Sequence, residues 1–498
     1  MNGIFINVDS QTFWHDSRNM DRDGVIRDVD FYTKNGGVEA VFYNMNFQRA
    51  YFDSKVFTPL WKDCEVRGDD FYFRGGKCKF SNQDQMQNLL LMRRNCPDFM
   101  QVRYDRCHEN GAEMWNSMRM NDVHWSQLGS EHNPQHSDLW RARKDLLRAW
   151  YRHTWRGIWT DGCFDYAQKE VYDYHLAFAR ELMMEFRSDG IELDFLRAAP
   201  IFKPGFDEIN AHILTQFIRD VRKVCDEAAA KWGHRMRIAV RVPSGVEDTL
   251  MLGMDVTRWC EEKLIDVLIA GPNSVASEID PQLAIWKQIL PPDVIFAPGI
   301  DYLAMSRRDQ YVTFSESTDC GFASALYQLG ADTLYFYNHF PTTQPEFPQM
   351  SEFFGYAADR RTVARKERRQ LVTRHESVRE GPLSFPPMHP EEIWVKSGNG
   401  STKVNAGENV AGRESVVVIG FDREVEADVF VNTEKCELIP GKPQTDKYPA
   451  KIPFWIQARI PAGVLHDGWN AVELFNQSET QSIFGREIAW MEIRIAAE

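Results

Sequence analysis

Short runs in which apolar and polar residues alternate recur along the first two thirds of the chain, and most close on a polar or ionisable side chain. Residues 3–8, 38–43 and 112–120 read as strands by this two-residue period. They end at Asn7 and Asp9, at Asn44 and Asn46, and at Arg119 with Asn121 and Asp122. Residues 85–94 look helical. From 168 to 187 the period lengthens, with Val171, Tyr174, Phe178 and Leu182 on one helical face. That helix delivers the chain into Asp189-Gly190-Ile191-Glu192-Leu193-Asp194-Phe195-Leu196-Arg197. There Ile191, Leu193 and Phe195 alternate with Glu192 and Asp194, so the two carboxylates share the face opposite the apolar one.

The alternation of period continues. Helices are predicted over 210–231, 256–263, 281–290 and 317–329, and strands over 236–242, 264–270, 294–297 and 333–337. These later strands lead to Arg241, Asn273, Asp301, and Asn338 with His339. Eight strands, the later ones separated by helices, predict an α/β chain folded as a (β/α)8 TIM barrel. Two irregular stretches, about 48–84 and 125–164, exceed ordinary connections and read as large loop insertions on the functional face. Beyond residue 379 the helices stop. Pro382, Pro386, Pro387 and Pro390 mark a linker, and short strands are predicted at 416–420, 427–431, 456–460 and 491–495. The expectation is a catalytic barrel over 1–378 and a C-terminal β-sandwich domain over 379–498.

Composition narrows the chemistry. A net charge of -14 over 498 residues argues against a nucleic-acid partner, and no apolar run reaches the length of about 20 residues that a membrane span needs. The nine cysteines show neither CxxC nor Cys/His ligand spacing, so free thiols are expected, although Cys64 with Cys78, or Cys96 with Cys107, would be bridgeable pairs. No metal or organic cofactor is expected. The N-terminus lacks the basic start and long apolar core of a leader, which points to the cytoplasm, or to export if a leader was removed. A homo-oligomer is compatible with the chain.

In a barrel of this kind, chemistry sits at the C-terminal ends of the strands. The ends predicted here converge hydrogen-bonding groups suited to a polyhydroxylated ligand: Arg119, Asn121, Asp122, His124, Arg197, Arg241, Asn338 and His339, with Trp14 and Trp125 as candidate stacking faces. Each has a plainer reading as a cap, an ion-pair partner or a core side chain. Glycosidic cleavage requires a carboxylic acid and a carboxylate. Asp194 suits the ionised role, with Arg197 or Arg241 as countercharge. Glu192, Asp301 and Asp122 are candidates for the acid.

The Asp189–Arg197 run resembles the DGI-x-LD-x-x-R strand of the family-10-like glycosyl hydrolases. The resemblance extends through Arg241-Val242-Pro243-Ser244, Ile265-Asp266-Val267-Leu268 and Gly330-Ala331-Asp332-Thr333-Leu334-Tyr335-Phe336. It covers roughly residues 1–370. It implies a barrel acting on glycosidic bonds of polysaccharides or cell-wall glycans, with Asp194 as the carboxylate that ends the fourth strand. A chitinase-type strand would place an acid where this chain has Leu196. A lyase or other carbohydrate-active enzyme, or a glycan-binding barrel without chemistry, are the alternative functions.

Overall fold

The computed structural model describes residues 3–9, 19–68, 70–77, 83–124, 133–151, 159–272, 277–279, 282–307, 310–341, 347–373, 399–443, 448–449, 451–476 and 488–498. Eight strand positions build the first two thirds of the chain: β1 (Ile4–Val8), β2 (Val38–Asn44), β3 (Glu113–Arg119), β4 (Gly190–Asp194), β5 (Arg237–Pro243), β6 (Val267–Gly271), β7 (Ile295–Phe296 continued by Gly299–Asp301) and β8 (Tyr335–Tyr337). All neighbours pair in parallel, in chain order from β1 to β6. Ile295–Phe296 pairs with β6, whereas Gly299–Asp301 pairs with β8, and β8 pairs with β1. The sequence pattern ended this strand at Ala297. It resumes beyond Pro298, which has no N–H for a ladder, and there it exchanges one neighbour for the other. The hydrogen bonding thus runs around a TIM-barrel-like α/β ring.

Strand alternation sorts the two faces. In β1, Ile4, Ile6 and Val8 face the helical layer, while Phe5 packs inside with Phe42, Trp115 and Tyr335. Gly190 opens β4 because Trp115 occupies the space beside it: a Cβ there would lie 2.5 Å from Trp115 Cε3. The Ala211–Trp232 helix buries Leu214, Phe217, Ile218, Val221, Val224 and Cys225 on one stripe and ends at Gly233 in the left-handed conformation. Helix Lys169–Glu185 packs against it, buried through Val171, Phe178 and Leu182.

Several elements escaped the sequence pattern. Helix Arg22–Thr33 buries Val25, Val29 and Tyr32 and is capped by Asp21, but Gly24 and its aspartates dilute the apolar signal. Helix Phe99–Glu109 covers β3. The 48–84 stretch contains an antiparallel meander, Cys64–Arg67, Asp70–Phe73 and Gly76–Lys77, whose strands are too short to declare a period. Its Phe57 stacks on Phe178 with ring centroids 3.8 Å apart, so part of this stretch is core.

The C-terminal part forms two antiparallel sheets, one of five strands and one of four. Val417, Ile419 and Ile493 of the first meet Val404, Val429 and Val472 of the second in one apolar core. Strands Asn399–Asn405 and Trp469–Asn476 were not anticipated; polar residues interrupt both. The five-stranded sheet takes its edge from Arg368–Leu371, which pairs with Ile488–Ile495. Its other face, through Val418, Ala489 and Trp490, joins the barrel's core. Helix Glu316–Gln328 lies between the two, and Gly321 permits the approach, since a Cβ there would collide with the Arg369 carbonyl oxygen. The predicted proline-rich linker lies outside the described residues.

Candidate active site

The parallel register stacks the inward side chains of β3, β4 and β5 in rows. Trp115, Gly190 and Arg237 form the deepest, Ser117, Glu192 and Ala239 the middle one, and Arg119, Asp194 and Arg241 the outermost. Arg241 Nη1 donates to Asp194 Oδ1 at 3.0 Å, and the Leu196 amide donates to the same oxygen at 2.9 Å. Asp194 Oδ2 is buried and has no hydrogen-bond partner among the described residues. The ring of Tyr337 lies 3.7 Å from the Arg241 guanidinium carbon, a cation–π contact that holds the arginine from its other side. The Tyr337 hydroxyl is likewise buried without a partner.

Glu192 lies one row below. Asn7 Nδ2 donates to its Oε2 at 3.1 Å, and the Tyr335 hydroxyl donates to Oε1 at 2.5 Å. Burial raises its pKa above the usual glutamate value, and the charge of Asp194 raises it further. Both oxygens are engaged by protein groups inside the barrel, so this carboxyl acts on the row above it through its charge.

A chain of contacts runs along one side of the site. Arg119 Nη2 donates to Asp9 Oδ2 at 2.9 Å and Nη1 to Asp122 Oδ2 at 3.0 Å. With the Asn44 amide turned so that its oxygen accepts from Arg119 Nε at 3.1 Å, this buried guanidinium is held at three points. His124 Nδ1 lies 2.6 Å from Asp122 Oδ1, and His124 Nε2 lies 2.7 Å from Arg197 Nη2. A guanidinium only donates, so Nε2 accepts, and the ring proton sits on Nδ1 facing Asp122. Burial would raise Asp122, but His124, Arg119 and Arg197 outweigh it and hold this carboxyl well below the ordinary range. Arg197 therefore belongs to this chain. Of the two arginines proposed for Asp194, only Arg241 bonds it.

Asp301 ends β7. Its Oδ1 accepts from the Tyr302 amide at 2.7 Å, and its backbone is clamped by the Ser277 hydroxyl. Burial pushes its carboxyl up to about 6 against the attraction of Arg241. Asp194 and Asp301 thus share Arg241 as an electrostatic neighbour, but only Asp194 is hydrogen-bonded to it.

Other sequence candidates turn to the scaffold. The Asn121 amide is occupied by backbone: its Oδ1 accepts from Phe164 N, and its Nδ2 donates to the Phe164 and Pro200 carbonyls. His339 is fully buried between the Tyr337 carbonyl and Asp319, 3.0 Å from each. Asn338 closes β8 with φ of 58°, the left-handed region that redirects the chain behind Tyr337. Trp14, Trp125 and Asn273 lie outside the described residues. Tyr335, Tyr337 and Ser117 were missed as site residues. Tyr335 and Tyr337 fall on the same two-residue phase that singled out Glu192 and Asp194, and that phase was the available signal.

Among the described residues, no cluster of three or more His, Cys, Asp or Glu side chains is disposed to hold a metal ion, and no helix is long and apolar enough to cross a membrane. Cys96, Cys107, Cys225, Cys260, Cys320 and Cys436 are free thiols, so Cys96 and Cys107 are not bridged; Cys78 lies outside the described residues. No protein-family model matches the chain, and no curated protein matches it. Among solved structures, it is similar to alpha-L-fucosidase isoenzyme 2 from Paenibacillus thiaminolyticus, with 13% identity, TM-score 0.41, and 73% of this chain against 50% of that one. A chitinase from a Paenibacillus species matches with 9% identity and TM-score 0.42 over 95% of this chain and 52% of the other. The catalytic domain of xylanase C from Talaromyces cellulolyticus matches with 9% identity and TM-score 0.36 over 96% and 97%. The chain spans about half the length of the first two.

Proposed function

We propose that the chain is a glycoside hydrolase of the family-10-like type, cleaving glycosidic bonds of a poly- or oligosaccharide. The observation that carries this reading is Asp194 Oδ2: a buried carboxylate oxygen with no partner among the described residues, on a carboxyl whose other oxygen is taken by Arg241. Asp194 acts as the ionised group, either attacking the anomeric carbon or activating water. Asp301, whose proton is retained by burial into the mildly acidic range, protonates the leaving oxygen. Glu192 sets the charge balance beneath Asp194. His124, Arg197 and Arg241 orient sugar hydroxyls, with Arg197 Nε and Arg241 Nε as buried donors without partners among the described residues, and Arg119 and Asp122 hold His124 in place behind them. Residues 1–378 supply the catalytic barrel and 379–498 an accessory β-sandwich, to which the barrel half lends the strand Arg368–Leu371.

The test is product release from a panel of glycans by the wild type, Asp194→Asn and Asp301→Asn. Cleavage of one glycan class by the wild type, lost in Asp194→Asn, supports the reading. An unsaturated sugar product would replace it with a lyase. Sugar binding without any product, unchanged by Asp194→Asn, would replace it with a glycan-binding barrel.

A further inference from the structure

A half-open cavity of about 900 Å³ lies where the barrel meets the five-stranded sheet, away from the Asp194–Arg241 row. Its walls come from both halves of the chain. The barrel contributes the hairpin strand Gln310–Thr313, the start of helix Glu316–Gln328, and Phe347; the sheet side contributes Lys366, Arg369 and Tyr448. The volume is in the range of sites that hold a small organic ligand. We propose that this cavity is a second, non-catalytic binding site for a neutral oligosaccharide.

Charge selects the ligand class. The ionised lining residues are Glu316, Glu367, Lys366 and Arg369, two of each sign. Lys366 Nζ lies 2.9 Å from Glu316 Oε1, and Arg369 Nη2 lies 2.7 Å from Glu492 Oε2. Both cations are thus neutralised by protein carboxylates. A phosphate or uronate would have to compete with these carboxylates for the cations and would meet the further negative charge of Glu367, which disfavours an anionic ligand. The remaining surface is aromatic and hydroxylic. Tyr448 spends its hydroxyl on Glu492 at 2.7 Å, leaving its ring as wall. Thr313, Ser315 and Ser317 place hydroxyls along one stretch of chain. Tyr311 stands 53% exposed at this cavity, although it sits in a paired strand. An exposed aromatic face beside hydroxyl donors and acceptors, with both cations paired and the carboxylate of Glu367 left over to repel anions, matches the amphipathic faces of a neutral sugar.

The cavity is also tied to the candidate acid. The hairpin begins at Leu303, two residues after Asp301, and returns so that the Phe314 amide donates to the Tyr302 carbonyl at 3.0 Å. A glycan held at Tyr311 is therefore anchored on the same hairpin that issues from β7. The choice of a sugar rests on the reading of the barrel mouth, whereas the cavity and its charge balance do not.

The experiment is titration calorimetry of full-length Asp194→Asn with cello-, xylo-, malto- and mannohexaose and with an oligogalacturonate as the anionic probe. It is repeated in Asp194→Asn carrying Tyr311→Ala or Thr313→Arg, both at exposed positions. Amide exchange across residues 311–317 is followed with the best ligand. The expected result is a neutral hexaose that protects 311–317 and whose affinity falls at least about tenfold in both added variants, roughly the loss of one good contact. Binding indifferent to both variants, binding of the oligogalacturonate alone, or no binding by any probe would overturn the proposal. Tyr311-dependent binding of a sugar with no glycan cleaved by the wild type would defeat the hydrolase reading and leave this one standing. Hydrolysis with Tyr311-independent binding would do the reverse.

Discussion

Asp194 and Arg241 are register partners on adjacent parallel strands, and Arg241 reaches across the ladder to bond Asp194 at 3.0 Å with both side chains almost wholly buried. Arg119 is Asp194's register partner on the other side but is spent on Asp9 and Asp122. One buried carboxylate is thus matched to one arginine, with one oxygen left over.

Removing either member of that pair has a different consequence. Asp194→Asn keeps the shape and a hydrogen-bond acceptor, so the fold survives while turnover drops by about a thousandfold or more. Arg241→Met leaves a buried carboxylate without countercharge and destabilises by about 3–5 kcal/mol. Paired activity assays and urea melts separate the two. Equal melting of wild type and Arg241→Met would show that the pair does not hold the barrel mouth.

The acid role of Asp301 sets a pH dependence. Its carboxyl is raised to about 6, so the protonated form dominates below that pH and is lost above it. The rate kcat/KM is expected to fall on the alkaline side as pH rises through about 6, and Asp301→Asn should abolish that limb together with most activity. An unchanged alkaline limb in the residual activity of Asp301→Asn would assign the limb to another group.

Glu192 makes a prediction about stability. Its folded pKa is raised, so the folded chain holds this proton more tightly than the unfolded chain. The stabilisation is complete below the ordinary glutamate value of 4.5 and is lost as pH rises above it, through the raised folded value. Relative to Glu192→Gln, the wild type should therefore lose stability between about pH 4.5 and about pH 7. Urea melts of both proteins across that window read the difference. Parallel curves would mean that Glu192 titrates alike in the folded and unfolded chains.

Gly190 and Trp115 should behave as one unit. Gly190→Ala places a methyl 2.5 Å from the Trp115 ring and 2.7 Å from the Arg237 carbonyl. Overpacking of this kind costs about 1–3 kcal/mol. Trp115→Phe should recover part of that loss in the double variant, giving a coupling energy of about 0.5 kcal/mol or more in a thermodynamic cycle. Strict additivity would show that the backbone clash with Arg237 dominates.

The longer strands of the barrel, Gly190–Asp194 among them, were legible because they run through several side-chain alternations and are buried on both faces, so Ile191, Leu193, Glu192 and Asp194 declare their sides without tertiary information. The split of β7 at Pro298 was not legible, since a change of hydrogen-bond partner leaves no mark on hydropathy. The same limit explains Asn121 and His339. Their residue types suit a sugar site, but their hydrogen bonds are consumed by Phe164, Pro200, Tyr337 and Asp319, which are distant or unremarkable in sequence.

Local pattern alone thus determined that Glu192 and Asp194 share one face of a buried strand, because strand geometry fixes the direction of successive side chains. The tertiary structure decided what each does. Closure of the sheet brings Asn7 and Tyr335 onto Glu192 and leaves Asp194 to Arg241, with one oxygen unclaimed among the described residues. Electrostatic environment depends on distances between strands far apart in the chain, and no local period encodes those distances.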